Sequence, residues 1–280
     1  MDKVLQRVLK IVPKTPLFVA TYPTGLDDQL RDFERSVLSP EKQERVKSRF
    51  VGIVGGGGIG KTTLAKEFFN RRSSNYNGSS FLFDVRETAA RMSLINLQMK
   101  LIKDLTPRED IKIESADEGI SLLKQHLLYC HALVILDDVD KADQLEVLLP
   151  IKDVLSSNSL ILVTSRDKQI LVSSGIVDSS IYKLAGMNRA HSQDLFCSYA
   201  FYQPHPLPGF TDLVELFVTA CDGLPLSLKV IGALLCGRNE RSYWEERLNE
   251  LNKILPDDIL QRLKISYHSL NQMEQKWVGQ

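Results

Sequence analysis

Long apolar runs are missing from this 280-residue chain, and so is any net charge, because 35 Lys and Arg balance 35 Asp and Glu. No stretch approaches the roughly 20 apolar residues of a membrane-spanning helix, and the N-terminus lacks the uncharged core of a secretory signal. Balanced charge gives no global attraction to nucleic acid or to an anionic membrane. Cysteine is scarce: Cys130, Cys197, Cys221 and Cys236 stand far apart, with no CxxC and no His/Cys ligand spacing. That argues against a disulfide framework or zinc site and reads as reduced thiols in a cytosolic protein. With 43% hydrophobic and 25% charged residues, the chain has the make-up of one large or two modest globular domains.

What is present is concentrated in Phe50 to Ala65, FVGIVGGGGIGKTTLA, where a short apolar run feeds a glycine loop ending in lysine and two threonines. Gly55, Gly60, Lys61 and Thr62 satisfy GxxxxGK[ST], the phosphate-binding P-loop. Gly57, Gly58 and Ile59 complete the turn, and Thr63 opens the following segment. Glycine allows positive φ and close approach of the backbone to an anion; successive N–H groups and the positive end of the next helix then face the phosphates. Lys61 is expected on the β- and γ-phosphates and Thr62 on Mg²⁺. A glycine-rich turn that binds nothing is the alternative, but a chance match in a chain this long has odds of roughly one in a hundred. The strand character of Val51–Val54 and the helical character of Thr63–Asn70 lower those odds further.

From Phe50 to Leu184 the pattern alternates. Strands are expected at Phe50–Val54, Phe81–Val85, Ala132–Asp137, Leu160–Thr164 and Ile181–Leu184, apolar without clean alternation, as in a parallel sheet covered on both faces. Helical patterns such as Leu94–Leu105 and Gly119–Tyr129 supply the crossovers. Ligands are then expected at the carboxyl ends of the strands. One such end carries Asp137-Asp138, which reads as a Walker B pair: Asp137 for Mg²⁺, Asp138 to orient or polarise an attacking water. Standing alone it would read as a strand followed by an acidic turn. Another end carries Thr164-Ser165-Arg166-Asp167, where Arg166 is placed either to reach a γ-phosphate or to form a surface salt bridge.

The flanks are less regular. Val4, Leu5, Val8, Leu9 and Val12 share one helical face, stopped by Pro13 and Pro16. A membrane-surface helix or a transit peptide would show this pattern, and the packed end of a preceding domain shows it more often. A second helix is expected at about Leu26–Leu38. After residue 188, Ala190–Ala200, Asp212–Cys221, Pro225–Leu235 and Trp244–Ile254 have the spacing of a helical bundle, with Trp244 and Trp277 as core.

Six motifs in order resemble the NB-ARC module of plant nucleotide-binding leucine-rich-repeat receptors, within the STAND group of switch ATPases. They are GGGGIGKTTLA (55–65), FLFDVRE (81–87), LVILDDVD (133–140), SLILVTSRDKQIL (159–171), YKLAGMNRAHSQDLFCSYAF (182–201) and GLPLSLKVIG (223–232). Asp140 and FLFDVRE are similar to the TIR-associated subclass. The resemblance covers about residues 21–277 and implies an α/β P-loop NTPase with a parallel five-stranded sheet of STAND/ASCE type, followed by an all-α bundle, ARC1. The expected divisions are an N-terminal helix and linker (1–49), a nucleotide-binding domain (50–188), ARC1 (189–256) and the start of ARC2 (257–280).

The resemblance also implies that Arg166 senses the γ-phosphate, that Pro225 packs against adenine, and that Thr24 and Gly25 lie along it. The cofactors implied are ADP or ATP with Mg²⁺ on Thr62 and Asp137. The partners implied are the receptor's own N-terminal signalling domain and leucine-rich repeats, with a homo-oligomer in the ATP form. No direct nucleic-acid contact and no membrane span are expected. The family's MHD motif has no counterpart here, so the sequence is expected to be a fragment. The activity implied is a slow ATP-to-ADP switch in the cytoplasm. A turnover ATPase or kinase is the alternative, although no second catalytic cluster or acceptor lid is found.

Overall fold

The computed structural model describes residues 15–38, 49–106, 112–127, 130–149 and 159–253. The helix expected at the extreme N-terminus, the segment 257–280 and Trp277 lie outside them. The described chain divides into two compact units.

The first unit comprises residues up to Val19, Leu26–Gly56 and Lys61–Leu184. Its elements in chain order are α1 (Leu26–Val37), β1 (Arg49–Val54), α2 (Lys61–Arg72), β2 (Gly78–Leu82), α3 (Val85–Arg91), α4 (Leu94–Leu105), α5 (Ala116–Leu127), β3 (Ala132–Val139), α6 (Ala142–Leu148), β4 (Leu160–Ser165), α7 (Lys168–Ser173) and β5 (Ile181–Lys183). The five strands form one parallel sheet in the order β2-β3-β4-β1-β5. This is the parallel five-stranded α/β sheet the alternating pattern predicts. Ile135, Leu136, Leu162 and Val163 are all 0% exposed, which is why these strands read as unbroken apolar runs.

Helix α1 shows how the sequence drives the packing. Leu26, Leu30, Phe33 and Val37 recur at helical spacing and are all buried, each contributing roughly 1.5–3 kcal/mol by leaving water. Phe33 meets Phe68 of α2 and Tyr182 of β5 edge-on, with centroids 5.4 and 5.5 Å apart.

Two strands differ from expectation. Strand β2 begins at Gly78 and ends at Leu82, and Val85 opens a helix. Between them Phe83 is partly exposed and Asp84 takes a left-handed φ of 45°, a conformation that ends a strand and that aspartate tolerates better than most residues. Strand β3 runs two residues past Asp137, and its register against β4 shifts between Leu136 and Val139. Asp138 sits in that shift with φ 57°, a bulge that re-aims its side chain.

The second unit gathers residues 20–25, 57–60 and 185–253. Four helices build it: α8 (Arg189–Phe201), α9 (Thr211–Cys221), α10 (Pro225–Leu235) and α11 (Arg241–Lys253). Trp244, 0% exposed, is ringed by Phe196, Phe201, Phe210 and Phe217. Its indole N–H donates to the Arg238 carbonyl at 2.7 Å, so the one polar group of the side chain is satisfied. The Asn188 side chain caps α8 by accepting from the His191 N–H, and Pro225 starts α10 at the first-turn position where a missing N–H does no harm.

Candidate functional site

The glycine loop leaves β1 at the centre of the sheet. Gly58 and Gly60 have φ of 74° and 102°, values that a Cβ strongly disfavours. At Gly58 a Cβ would also stand 2.7 Å from Cβ of Leu226, and the Leu226 N–H donates to the Gly58 carbonyl at 3.3 Å. Gly57 and Gly58 are exposed, while Ile59 and Gly60 are half-buried.

Lys61 opens α2, is 7% exposed, and donates from Nζ to the carbonyls of Gly55 and Gly56, both at 2.8 Å. No carboxylate pairs with it among the described residues. Burial lowers its pKa first, with Arg166 next, Asp138 and Asp137 opposing, and Arg86 adding to the lowering. Thr62 donates to Asp137 Oδ1 and Oδ2 at 3.0 and 2.9 Å, and Thr63 is half-buried beside it.

Asp137 is 0% exposed. Burial pushes its carboxyl above the ordinary range, while bonds from Thr164 and Thr62 hold it down and the charges of Asp84 and Asp138 raise it. Thr164 Oγ1 donates to Asp137 Oδ1 at 2.7 Å and accepts the Asp138 N–H at 2.9 Å. Asp138 faces the other way, into two guanidinium groups: Arg86 Nη2 lies 2.9 Å from Oδ2 and Arg166 Nε 3.3 Å from Oδ1.

The ends of β1, β3 and β4 therefore bring Gly55, Lys61, Thr62, Asp137, Asp138 and Arg166 together. Thr24, Gly25, Gly57–Gly60 and Pro225 belong to the second unit. There the His191 ring fills the space above Gly25, Thr24 N–H donates to Tyr22 O at 2.8 Å, and Pro225 is half-buried beside Leu226. Two site residues escape a reading of the sequence. Arg86 lies within FLFDVRE, and Thr164 immediately precedes Ser165-Arg166, but neither has a local signal that names its partner; only the sheet order does.

The donor set fits a nucleotide and a magnesium ion. A buried ammonium held by two carbonyls of its own loop, on a backbone that glycine keeps open, suits a phosphate. A hydroxyl joined to a buried carboxylate is the oxygen pair a hard divalent cation takes together with phosphate oxygens. Among the described residues no cluster of three or more His, Cys, Asp or Glu forms a separate metal site. No described helix is long and apolar enough to cross a membrane.

The family profile described as the NB-ARC domain matches residues 35–205. Disease resistance protein RPV1 of Vitis rotundifolia is 37% identical over 227 residues, covering 81% of this chain and 16% of that protein. Disease resistance protein RPP2B of Arabidopsis thaliana is 29% identical over 273 residues, covering 97% of this chain and 22% of that protein. The chain thus spans less than a quarter of the length of either relative. Among solved structures, Cdc6p from Pyrobaculum aerophilum superimposes with a TM-score of 0.52 at 12% identity, covering 78% of this chain and 62% of that one, a likeness of fold.

Proposed function

The chain belongs to the NB-ARC family, and from that membership we propose that it is the nucleotide switch of an intracellular plant immune receptor, resting with ADP and active with ATP. The observation that carries this reading is Lys61: an ammonium buried at the start of a helix, bonded to carbonyls of its own glycine loop and to no carboxylate among the described residues. Such a cation is poised for an anion presented at the loop.

Each residue has a separate task. Backbone N–H groups of Gly57 to Thr63 receive phosphate oxygens, and Lys61 turns from its carbonyls to the phosphates. Thr62 and Asp137 hold Mg²⁺, which when bound neutralises phosphate charge and orients the transferable group. Arg166 answers to the third phosphate. Asp138 orients water in a slow hydrolysis, its carboxylate held in place by Arg86 and Arg166. Pro225, Thr24 and Gly25 contact the base. A ligand that binds one arrangement of the receptor better than another shifts the population toward it, so exchange of ADP for ATP favours an open, self-associating form. The receptor's N-terminal signalling domain and its leucine-rich repeats are the partners, and the compartment is the cytoplasm, in keeping with scattered cysteines that form no CxxC pair.

The test is the nucleotide content of purified protein, released by denaturation and separated by chromatography, beside Lys61→Ala. Retained ADP that is lost in the variant is the expected result. A folded parent protein that carries no nucleotide and binds none when supplied would overturn the reading.

A further inference from the structure

Asp138 holds one more arginine than sensing requires. Arg166, beyond the end of β4, is the residue expected to respond to a third phosphate, yet the shorter contact belongs to Arg86, at 2.9 Å against 3.3 Å. The two cations also differ in footing. Arg86 follows Val85, which is 0% exposed and fixes the start of α3 in the core, whereas Arg166 sits past the strand end with its side chain 53% exposed. They bind different oxygens of one carboxylate, Arg86 at Oδ2 and Arg166 at Oδ1. The Asp138 backbone is pinned by its N–H bond to Thr164. Arg86 lies close enough to the phosphate-binding end that its charge acts on the Lys61 ammonium.

We propose that Arg86 is a positioning residue that anchors Asp138, so that Arg166 can leave that carboxylate for the third phosphate of a bound nucleoside triphosphate. The proposal rests on the nucleotide-switch reading above. Breaking an ion pair by moving one partner leaves the other charge uncompensated, at a cost that grows with burial, and the Asp138 side chain is only 16% exposed. With Arg86 in place, the carboxylate keeps a short charge-assisted bond when Arg166 departs. Without Arg86, Arg166 is its only ion-pair partner among the described residues and is held back from the phosphate. Arg86 thus sets the difference in affinity between triphosphate and diphosphate, while Lys61 and the glycine loop serve both.

The experiment uses the full 280-residue chain, its Arg86→Ala and Arg86→Lys variants and the same Arg86→Ala change in an Asp138→Asn background. Each is titrated with fluorescent methylanthraniloyl-ADP and with the matching non-hydrolysable ATP analogue, in Mg²⁺. Arg86→Ala is expected to lower the triphosphate-to-diphosphate affinity ratio about three- to tenfold, between the effect of a fully exposed ion pair and that of a buried charge-assisted bond. Arg86→Lys should restore part of that loss. In the Asp138→Asn background Arg86→Ala should leave the ratio unchanged, because nothing remains to be anchored. Arg91→Ala on the same helix, where the arginine pairs with Glu87 at the surface, is the control and should leave the ratio at its parent value. A ratio that falls equally with and without Asp138 would overturn the anchor in favour of a through-space charge effect, and an unchanged ratio in Arg86→Ala would overturn it outright. If the parent binds neither nucleotide, the switch reading itself fails and the anchor with it.

Discussion

Replacing Thr164 by valine removes one oxygen from the centre of the site while keeping the shape of the side chain. Thr164 is 0% exposed, and its hydroxyl both donates to Asp137 and accepts from the backbone of Asp138. A hydrogen bond to a charged acceptor contributes about 1.5–3 kcal/mol, and a buried N–H left unpaired costs about 1–3 kcal/mol. Since the two effects share one atom, the expected loss is about 2–4 kcal/mol at pH 7.5. The loss should also depend on pH. Burial already raises the Asp137 carboxyl above its ordinary 3.8, and the Thr164 bond is the largest effect holding it down, so the valine variant takes up its proton at a higher pH. In both proteins the folded state binds that proton more tightly than the unfolded chain, so this group's contribution to stability falls as pH rises from the unfolded value through the folded one. The variant's folded value lies higher, so its deficit is greatest above that value and shrinks on acidification. Urea unfolding followed by far-UV circular dichroism from about pH 7.5 down into the ordinary carboxylate range measures this, with Thr164→Ser as the control that keeps both bonds. A deficit that stays constant over that whole range would refute the electrostatic account of Asp137.

Gly58→Ala places a Cβ against Leu226 on a backbone with φ 74°; a loss of about 1–3 kcal/mol is expected, with partial recovery in Gly58→Ala/Leu226→Ala, both read by urea unfolding. Trp244→Ala empties the centre of the helical unit and should cost about 3–5 kcal/mol. Because burial pushes the Cys197 thiol up to about 12, Cys197 should resist Ellman's reagent at pH 8 in the parent and react in the Trp244 variant; unchanged thiol reactivity would show that the aromatic ring around residue 244 does not hold the unit closed.

Much of the sheet is legible in sequence because its strands are apolar on both faces and its helices keep strict spacing. Leu94–Leu105 and Pro225–Leu235 have the same limits in sequence and structure. Strand β2 was harder for a physical reason. Ser79 and Ser80 look like loop residues, yet they are 2% and 1% exposed, and Ser80 satisfies its hydroxyl on Asp104 at 2.7 Å; a polar residue with a partner 24 positions away gives no local strand signal. The acid pair and Lys61 are singled out by type and position, whereas Arg166 reads equally as a surface ion-pair residue and is singled out only by the family resemblance. Arg86 and Thr164 are not singled out, because their roles depend on β2, β3 and β4 lying side by side. The left-handed backbone at Asp84 and Asp138 is equally silent, since aspartate appears in many conformations.

The bulge between Leu136 and Val139 has a consequence for which changes this stretch can accept. Neighbouring residues of a regular strand point to opposite faces, and here the irregularity gives two adjacent carboxylates unlike surroundings, one sealed beneath two hydroxyls and the other held by guanidinium groups. Side-chain charge and backbone handedness at position 138 are separable demands: asparagine meets the second alone, glutamate the first alone. Chain length is a third demand, for deleting a single residue within 136–139 would straighten the strand and swing a carboxylate toward the apolar layer. The segment should therefore accept some exchanges of residue type and no change in residue number.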